Sequence, residues 1–372
     1  MSLKVRERRC SPTCRARSLS RLLPFVLAAV AILISCQAPP TVLLAPEAAG
    51  LEPAVRGALP RGAKVEVEGR GKAGRNVIRL SSTPGWNLPA GLGPDVPLPA
   101  DWNPSYTLPP SLAALGRKAD GSWSSVPVLY DVWGETSFAA TSPSAPPPPG
   151  DWSSLLKGAA RDALVVAGAR PSFRQTAFLF QLFPDLPASR EAIAWFAQTP
   201  AGWRSPGSVF PALVAHRAWQ PNTWFFSRAD QTVAYRSGRP TVFLETYRDY
   251  ESTNAPGRRR FVPLAAKGPG GYAMAGTVLF LEYRGDARSL DRALPLMKRL
   301  TGPGFARQAG LGGTWLAAGQ AAEELDGVGA MVRRRVGACG RFLPVTDRLP
   351  DPLVEGSLWV EVQLAVDSAP RK

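Results

Sequence analysis

Glu245 and Glu282 occupy matching places in two similar segments, Thr241-Val-Phe-Leu-Glu-Thr-Tyr-Arg248 and Thr277-Val-Leu-Phe-Leu-Glu-Tyr-Arg284, offset by one residue. Two carboxyl groups held about 5–9.5 Å apart can cleave a glycosidic bond, one as acid and the other as nucleophile or base. Asp249, Glu251 and Asp286 near the strand ends extend that acidic set. Arg248 and Arg284 lie close by in sequence, so the competing reading is a pair of surface ion pairs. The echo is too short to establish a duplication, and it reads as two paired strands with similar faces.

Other arrangements are weaker. Ser154-Leu-Leu-Lys157 has the Ser-x-x-Lys spacing of serine penicillin-binding proteins and β-lactamases, in which a Lys one helical turn on helps to deprotonate the Ser. Ser252-Thr-Asn254 can serve as the second element of that set, but no Lys-Thr-Gly follows it, and Arg236-Ser-Gly238 lies before it. Ser153 or Ser154 as a helix cap explains the same residues. Gly69-Arg-Gly-Lys-Ala-Gly74 matches a dinucleotide fingerprint, which requires a helix next. Asn76-Val-Ile-Arg-Leu80 reads instead as a strand, so the glycines are expected in a hairpin loop. His216 is the single histidine, which excludes two-His metal sites, and no Gly-x-Ser-x-Gly occurs. A catalytic triad would depend on His216, which stands beside an apolar run and reads as a packed residue. No catalytic residue, metal or cofactor is therefore assigned.

The tryptophans are a different kind of candidate. Five of the eleven fall in a Pro-rich stretch, as Trp86, Trp102, Trp123, Trp133 and Trp152. They anchor loops, or else Trp86, Trp102, Trp123 and Trp133 form exposed platforms for sugar rings. The formal charge is +15; seven basic residues and one acid fall within residues 1–35, which leaves +9 on the rest. Only eight of the 44 basic residues are Lys, a bias that a GC-rich genome would produce on a solvated surface. The functional reading is an anionic envelope partner.

Those side chains are preceded by an address. Leu22 to Ser35 is 14 residues without a charge, behind a basic region. As a helix it rises about 21 Å, short of a hydrocarbon core of about 30 Å. It therefore reads as the hydrophobic region of a signal peptide. Leu33-Ile34-Ser35-Cys36 resembles the lipobox of bacterial lipoproteins, with Ile34 less usual at its place. The resemblance covers residues 1–36 only. It implies a diacylglycerol on Cys36, cleavage before it and further acylation of the new amino terminus, and so palmitate-type chains anchoring the protein to a membrane. Gln37 rather than Asp implies the outer membrane in an organism with two, with the chain facing periplasm or surface. Cys10 and Cys14 would leave with the signal and Cys36 would be consumed. Cys339 would remain, a small buried residue, with no intramolecular disulfide.

The elements positioning these residues divide as follows. Residues 1–35 are the signal peptide, 36–62 a lipidated N-terminus and tether, and 63–135 a small Trp/Pro-rich β region. Residues 136–150 are a Pro-rich linker, and 151–372 an α+β domain. Strands are expected at 64–68, 76–80, 126–133, 223–227, 232–237, 240–249, 260–266, 272–285, 328–336, 341–345 and 357–367. Helices are expected over 151–167 and 189–198, from Ser289 onward, and over 314–325. Residues 178–183 fit either state. The fold class is α+β, mostly antiparallel sheet with three or four helices. The expected function is that of a non-catalytic binding or structural module of the cell envelope, with an envelope polysaccharide or another envelope protein as partner and no nucleic acid. The alternative is a glycan hydrolase using Glu245 and Glu282.

Overall fold

Thr41-Val-Leu-Leu44 is a continuous apolar run, the pattern of a strand buried on both faces in a parallel sheet. In the computed structural model it is β1 (Thr41–Leu44), buried throughout. The structure describes residues 40–70, 74–85, 88–139, 164–166, 241–252, 258–268, 271–310, 315–320, 325 and 327–344. β1 pairs in parallel with β2 (Val65–Val67) on one side and β3 (Val77–Ser81) on the other. Parallel neighbours need a crossover. Between β1 and β2 it is a 3-10 turn (Pro46–Leu51) and α1 (Glu52–Ala58), each with Pro in its opening positions, where a missing N–H costs nothing. The tether expected over 36–62 is thus corrected for its larger part: residues 41–58 are a central strand and a covering helix. The hairpin expected between β2 and β3 is corrected as well, because both strands flank β1 and do not meet.

β1, β2 and β3 belong to a six-stranded sheet of order β12-β4-β11-β3-β1-β2. β4 (Val126–Tyr130) and β11 (Val278–Arg284) are buried throughout, and β12 (Leu316–Ala317) is a short edge. β11 runs antiparallel to both neighbours, β3 and β4. Its side chains alternate between two cores. Leu279, Leu281 and Tyr283 pack with Val42, Ile78 and Val55 and with Met297 and Phe305 from α4 (Leu290–Leu300) and α5 (Pro303–Gly310). Val278 and Phe280 pack on the other side with Tyr130, Val132 and Phe342.

A four-stranded sheet has the order β6-β7-β5-β8, from β5 (Trp133–Ala139), β6 (Leu164–Val166), β7 (Thr241–Thr246) and β8 (Arg258–Pro263). A three-stranded sheet, β13-β10-β9, comprises β9 (Ala265–Gly268), β10 (Gly271–Gly276) and β13 (Arg341–Pro344). The remaining helices are α2 (Pro110–Ala113), α3 (Tyr247–Ser252) and α6 (Gly327–Ala338).

The chain passes between sheets at two adjacent points. Asp131-Val132 joins β4 of the six-stranded sheet to β5 of the four-stranded one, and Thr277 joins β10 to β11. The Asp131 amide donates to the Thr277 carbonyl at 2.8 Å. A methyl group on Gly276 would sit 1.8 Å from the Asp131 carbonyl oxygen, so only glycine lets the two crossings touch.

The α+β class is observed, with corrections. The sheets are mixed: six of the ten strand pairings among the described residues are antiparallel, while β1–β2, β1–β3, β6–β7 and β10–β13 are parallel. The described residues alone hold six α-helices. Residues 164–166 are a strand where a helix was expected, and Trp315 to Gln320 carries β12 rather than a helix. Residues 328–336 are helical within α6; Val328, Val332 and Val336 recur every four residues on its inner face, a helical period that outweighs their β-branching. The echo strands are not partners, for β7 and β11 belong to different sheets. Strands of the 63–135 region pair with β11, so one sheet spans the chain on both sides of the Pro-rich stretch. Residues 140–150 themselves, and the elements expected at 178–183, 189–198, 223–227, 232–237 and 357–367, lie outside the described residues. No helix among the described residues is long and apolar enough to cross a membrane.

Candidate functional site

A cleft of about 580 Å³ opens beside the crossing. Its floor is Tyr247, Trp315 and Leu316, at 8%, 6% and 3% exposure. Its rim is polar, with Glu251 from α3, Arg307 and Gln308 from α5, and Gln320. The crossing sets the position of α3. The Tyr247 amide donates to the Val132 carbonyl at 2.8 Å. The Asp131 carboxyl oxygen Oδ1 accepts from the amides of Val132 at 2.9 Å and Arg248 at 3.0 Å. Burial pushes the Asp131 carboxyl up to about 7, against the lowering effect of the Arg248 amide bond. Burial, and then the adjacent Glu251 carboxylate, holds the Tyr247 hydroxyl well above its ordinary range.

Neighbouring elements fit closely around this cleft. A methyl group on Gly329 of α6 would meet the Tyr247 hydroxyl at 3.1 Å, and one on Gly57 of α1 would overlap the Gln308 side chain. The Arg248 guanidinium lies over the Trp315 ring, 5.0 Å from its centroid, within cation–π range.

A smaller hollow of about 380 Å³ involves Asn103, Tyr106, Arg117 and Trp123. Lys298 Nζ donates to the Asn103 carbonyl at 2.6 Å and stands 5.9 Å from the Trp102 ring, while Arg117 stands 5.4 Å from that of Trp123.

The structure disperses the residues singled out from the sequence. Trp123 and Trp133 are each 2% exposed and are not surface platforms. Trp123 Nε1 donates to the Trp102 carbonyl at 3.2 Å, which anchors the loop, and Trp102 is half-buried against the core. Trp86, Cys36, Ser154, Lys157 and His216 lie outside the described residues. Glu245 and Glu282 are both buried at 2% but stand on strands of different sheets. The expected pairing of Glu282 with Arg284 is present at 3.8 Å but lies inside the protein rather than at its surface. Arg79 Nη1 donates to Glu282 Oε1 at 2.9 Å, and the Gly85 amide donates to Oε2 at 2.9 Å. Arg79 also donates to Glu68 at 2.6 Å. Burial raises the Glu282 carboxyl and Arg79 opposes that shift.

Asp249 and Asp286 serve local structure. Asp249 shares hydrogen bonds with Thr246, and Asp286 caps a 3-10 turn through the Arg288 amide. Cys339 is buried, with Sγ 3.3 Å from Ser111 Oγ and burial raising its thiol. Among the described residues, no group of three or more His, Cys, Asp or Glu is placed to hold a metal ion. Sequence reasoning missed Trp315, Tyr247 and Arg307 as a set. Their one signal was Trp315 itself, a large aromatic in a Gly-rich stretch.

No protein-family model and no curated protein matches the sequence. Solved structures do match. The bacterial solute receptor AcbH, described as having an exclusive preference for β-D-galactopyranose, aligns with a TM-score of 0.65 at 15% identity, over 90% of this chain and 94% of its own. A probable secreted solute-binding lipoprotein from Streptomyces coelicolor aligns with a TM-score of 0.54 at 16% identity, over 90% and 100%. Thiaminase I from Clostridium botulinum, solved with thiamin, aligns with a TM-score of 0.54 at 9% identity, over 88% and 99%. The protein has the fold shared by these solute-binding proteins and thiaminase I.

Proposed function

We propose that this protein is an exported solute receptor, a non-catalytic binding module that takes a small polyhydroxylated ligand in the Trp315 cleft. The observation that carries the reading is the place of the cleft. It is walled by α3, which hydrogen-bonds directly to the crossing between sheets, in a fold that solute receptors share. An apolar floor suits the C–H face of a sugar ring, and planar polar rim groups suit its hydroxyls. Lipidation at Cys36 would hold the receptor at the envelope, in the outer membrane where there are two. The description of one neighbour as a lipoprotein supports that placement. The hydrolase reading has no comparable support, because both Glu282 oxygens are engaged and Glu245 stands in another sheet.

Isothermal titration of the full chain against a panel of mono- and oligosaccharides tests the proposal. At least one saccharide is expected to bind, and Trp315→Ala to weaken it about tenfold, equivalent to about 1.4 kcal/mol, with the circular dichroism spectrum preserved. A panel without a binder, or full affinity in Trp315→Ala, overturns it.

A further inference from the structure

Asp131 lies inside the crossing between sheets at 3% exposure, and among the described residues it enters no salt bridge. Its carboxyl is held by backbone amides. Oδ1 accepts from Val132, within the crossing, and from Arg248, in the first turn of α3. Two amide donors offset only part of the cost of burying a full charge. An ionised Asp131 therefore gains by reaching water.

Of the elements packed against it, α3 is the one that can yield. β4 and β5 are sheet strands, and the β10–β11 crossing meets Asp131 through Gly276 and Thr277, neither of which titrates. By contrast α3 is six residues long, too short to be stable by itself, and Arg248 and Glu251 on it are exposed. Two bonds tie it to the crossing, from the Tyr247 amide to Val132 and from the Arg248 amide to Asp131. Burial is the largest influence on the carboxyl, and the Asp249 carboxylate adds to it. The Arg248 amide, the Thr246 hydroxyl and the Arg248 side chain act the other way, and the Tyr247 hydroxyl is within electrostatic reach.

We infer that Asp131 is a positioning residue for the cleft, a latch that holds α3 on the crossing while uncharged and frees it when ionised, and with it the wall formed by Tyr247 and Glu251. The sign follows from linkage. Held against α3, the carboxyl titrates at about 7; released into water it returns to its ordinary 3.8. Below the lower value neither state is charged, and above the upper value both are. Between them the release of α3 also releases a proton, so it becomes easier as pH rises.

Hydrogen exchange of the full chain tests this, followed by mass spectrometry on a peptide spanning residues 246–252 and corrected for the intrinsic pH dependence of amide exchange. Protection of that peptide is expected to fall about tenfold per pH unit between about pH 4 and pH 7, and to level off above. Residues 278–284 of β11 should stay more strongly protected throughout. In Asp131→Asn, which keeps an oxygen for both amides but has no proton to lose, α3 protection should not vary with pH. Asp131→Ala, which lacks that oxygen, should show lower protection that is equally flat. A flat profile in the native sequence overturns the inference, as does a slope that persists in Asp131→Asn. Equal protection of α3 and β11 also overturns it, because α3 would then open only with the whole fold. The measurement needs no ligand, so a saccharide panel without a binder ends the receptor reading and leaves the latch to be decided by exchange.

Discussion

Glu135 shows what a single side chain can cost in this fold. It lies on β5 at 0% exposure, and neither carboxyl oxygen has a hydrogen-bond partner among the described residues. Its β-ladder partner on β8 is Val262, itself buried, so the carboxyl has an apolar neighbour across the strands. Burial alone pushes it up to about 8, from an ordinary 4.5. The sign follows from which state holds the proton. Below about pH 4.5 folded and unfolded chains are both protonated and no ionisation penalty exists. Between there and about pH 8 the unfolded chain releases its proton while the folded chain keeps it. Stability therefore falls as pH rises through that window and levels off above it. Glu135→Leu should remove the effect. Urea unfolding is expected to show a gain over the native sequence of about 1–3 kcal/mol at pH 4.5, from removing an unpaired polar group, and a gain larger by a few kcal/mol at pH 8.5. An equal gain at both pH values would show that Glu135 is not held protonated. Asp131, also raised by burial, contributes in the same direction in both proteins and drops out of the comparison.

At the level of elements, legibility depended on whether a local pattern recorded the tertiary surroundings. Val65-Glu-Val alternated and was found as β2; Leu290 to Leu300 carried helical spacing and was found as α4, with Pro295 inside it. β1 escaped notice because a strand buried on both faces has no alternation, and four residues after Pro39-Pro40 resemble a tether. The division into a small β region and a larger domain had a real local basis in Ala140 to Gly150. No local signal could reveal that β11 inserts between β3 and β4. The candidate site was harder still to read. Glu251 was noticed for its charge, but Tyr247, Trp315 and Arg307 come to one cleft only through the packing of α3, α5 and β12. The Pro-rich stretch remains a good protease target, with little apolar surface to bury. Limited proteolysis is expected to cut within residues 138–151, and the two fragments to co-elute on gel filtration, because strands from each share one sheet. Fragments that separate under native conditions would contradict that sheet.

For the molecule as a whole, anchoring is the first thing to establish. Cys36→Ala should abolish labelling by a radiolabelled fatty acid and leave an unprocessed precursor, and equal labelling of both proteins would remove the lipid anchor from the proposal. The second matter is the order in which the sheet can be completed. Arg79 on β3 and Glu282 on β11 are 203 residues apart in sequence, yet their side chains meet at 2.9 Å in the middle of the six-stranded sheet. A contact of that span cannot form until the ribosome has made at least about three quarters of the chain, and topologies rich in such contacts fold slowly. The N-terminal strands, though made first, must wait without their central partner. If the chain is exported as proposed, this delay is useful, because a translocation channel threads unfolded polypeptide. The same placement of β11 that completes the sheet at the end of synthesis keeps the nascent chain threadable until then.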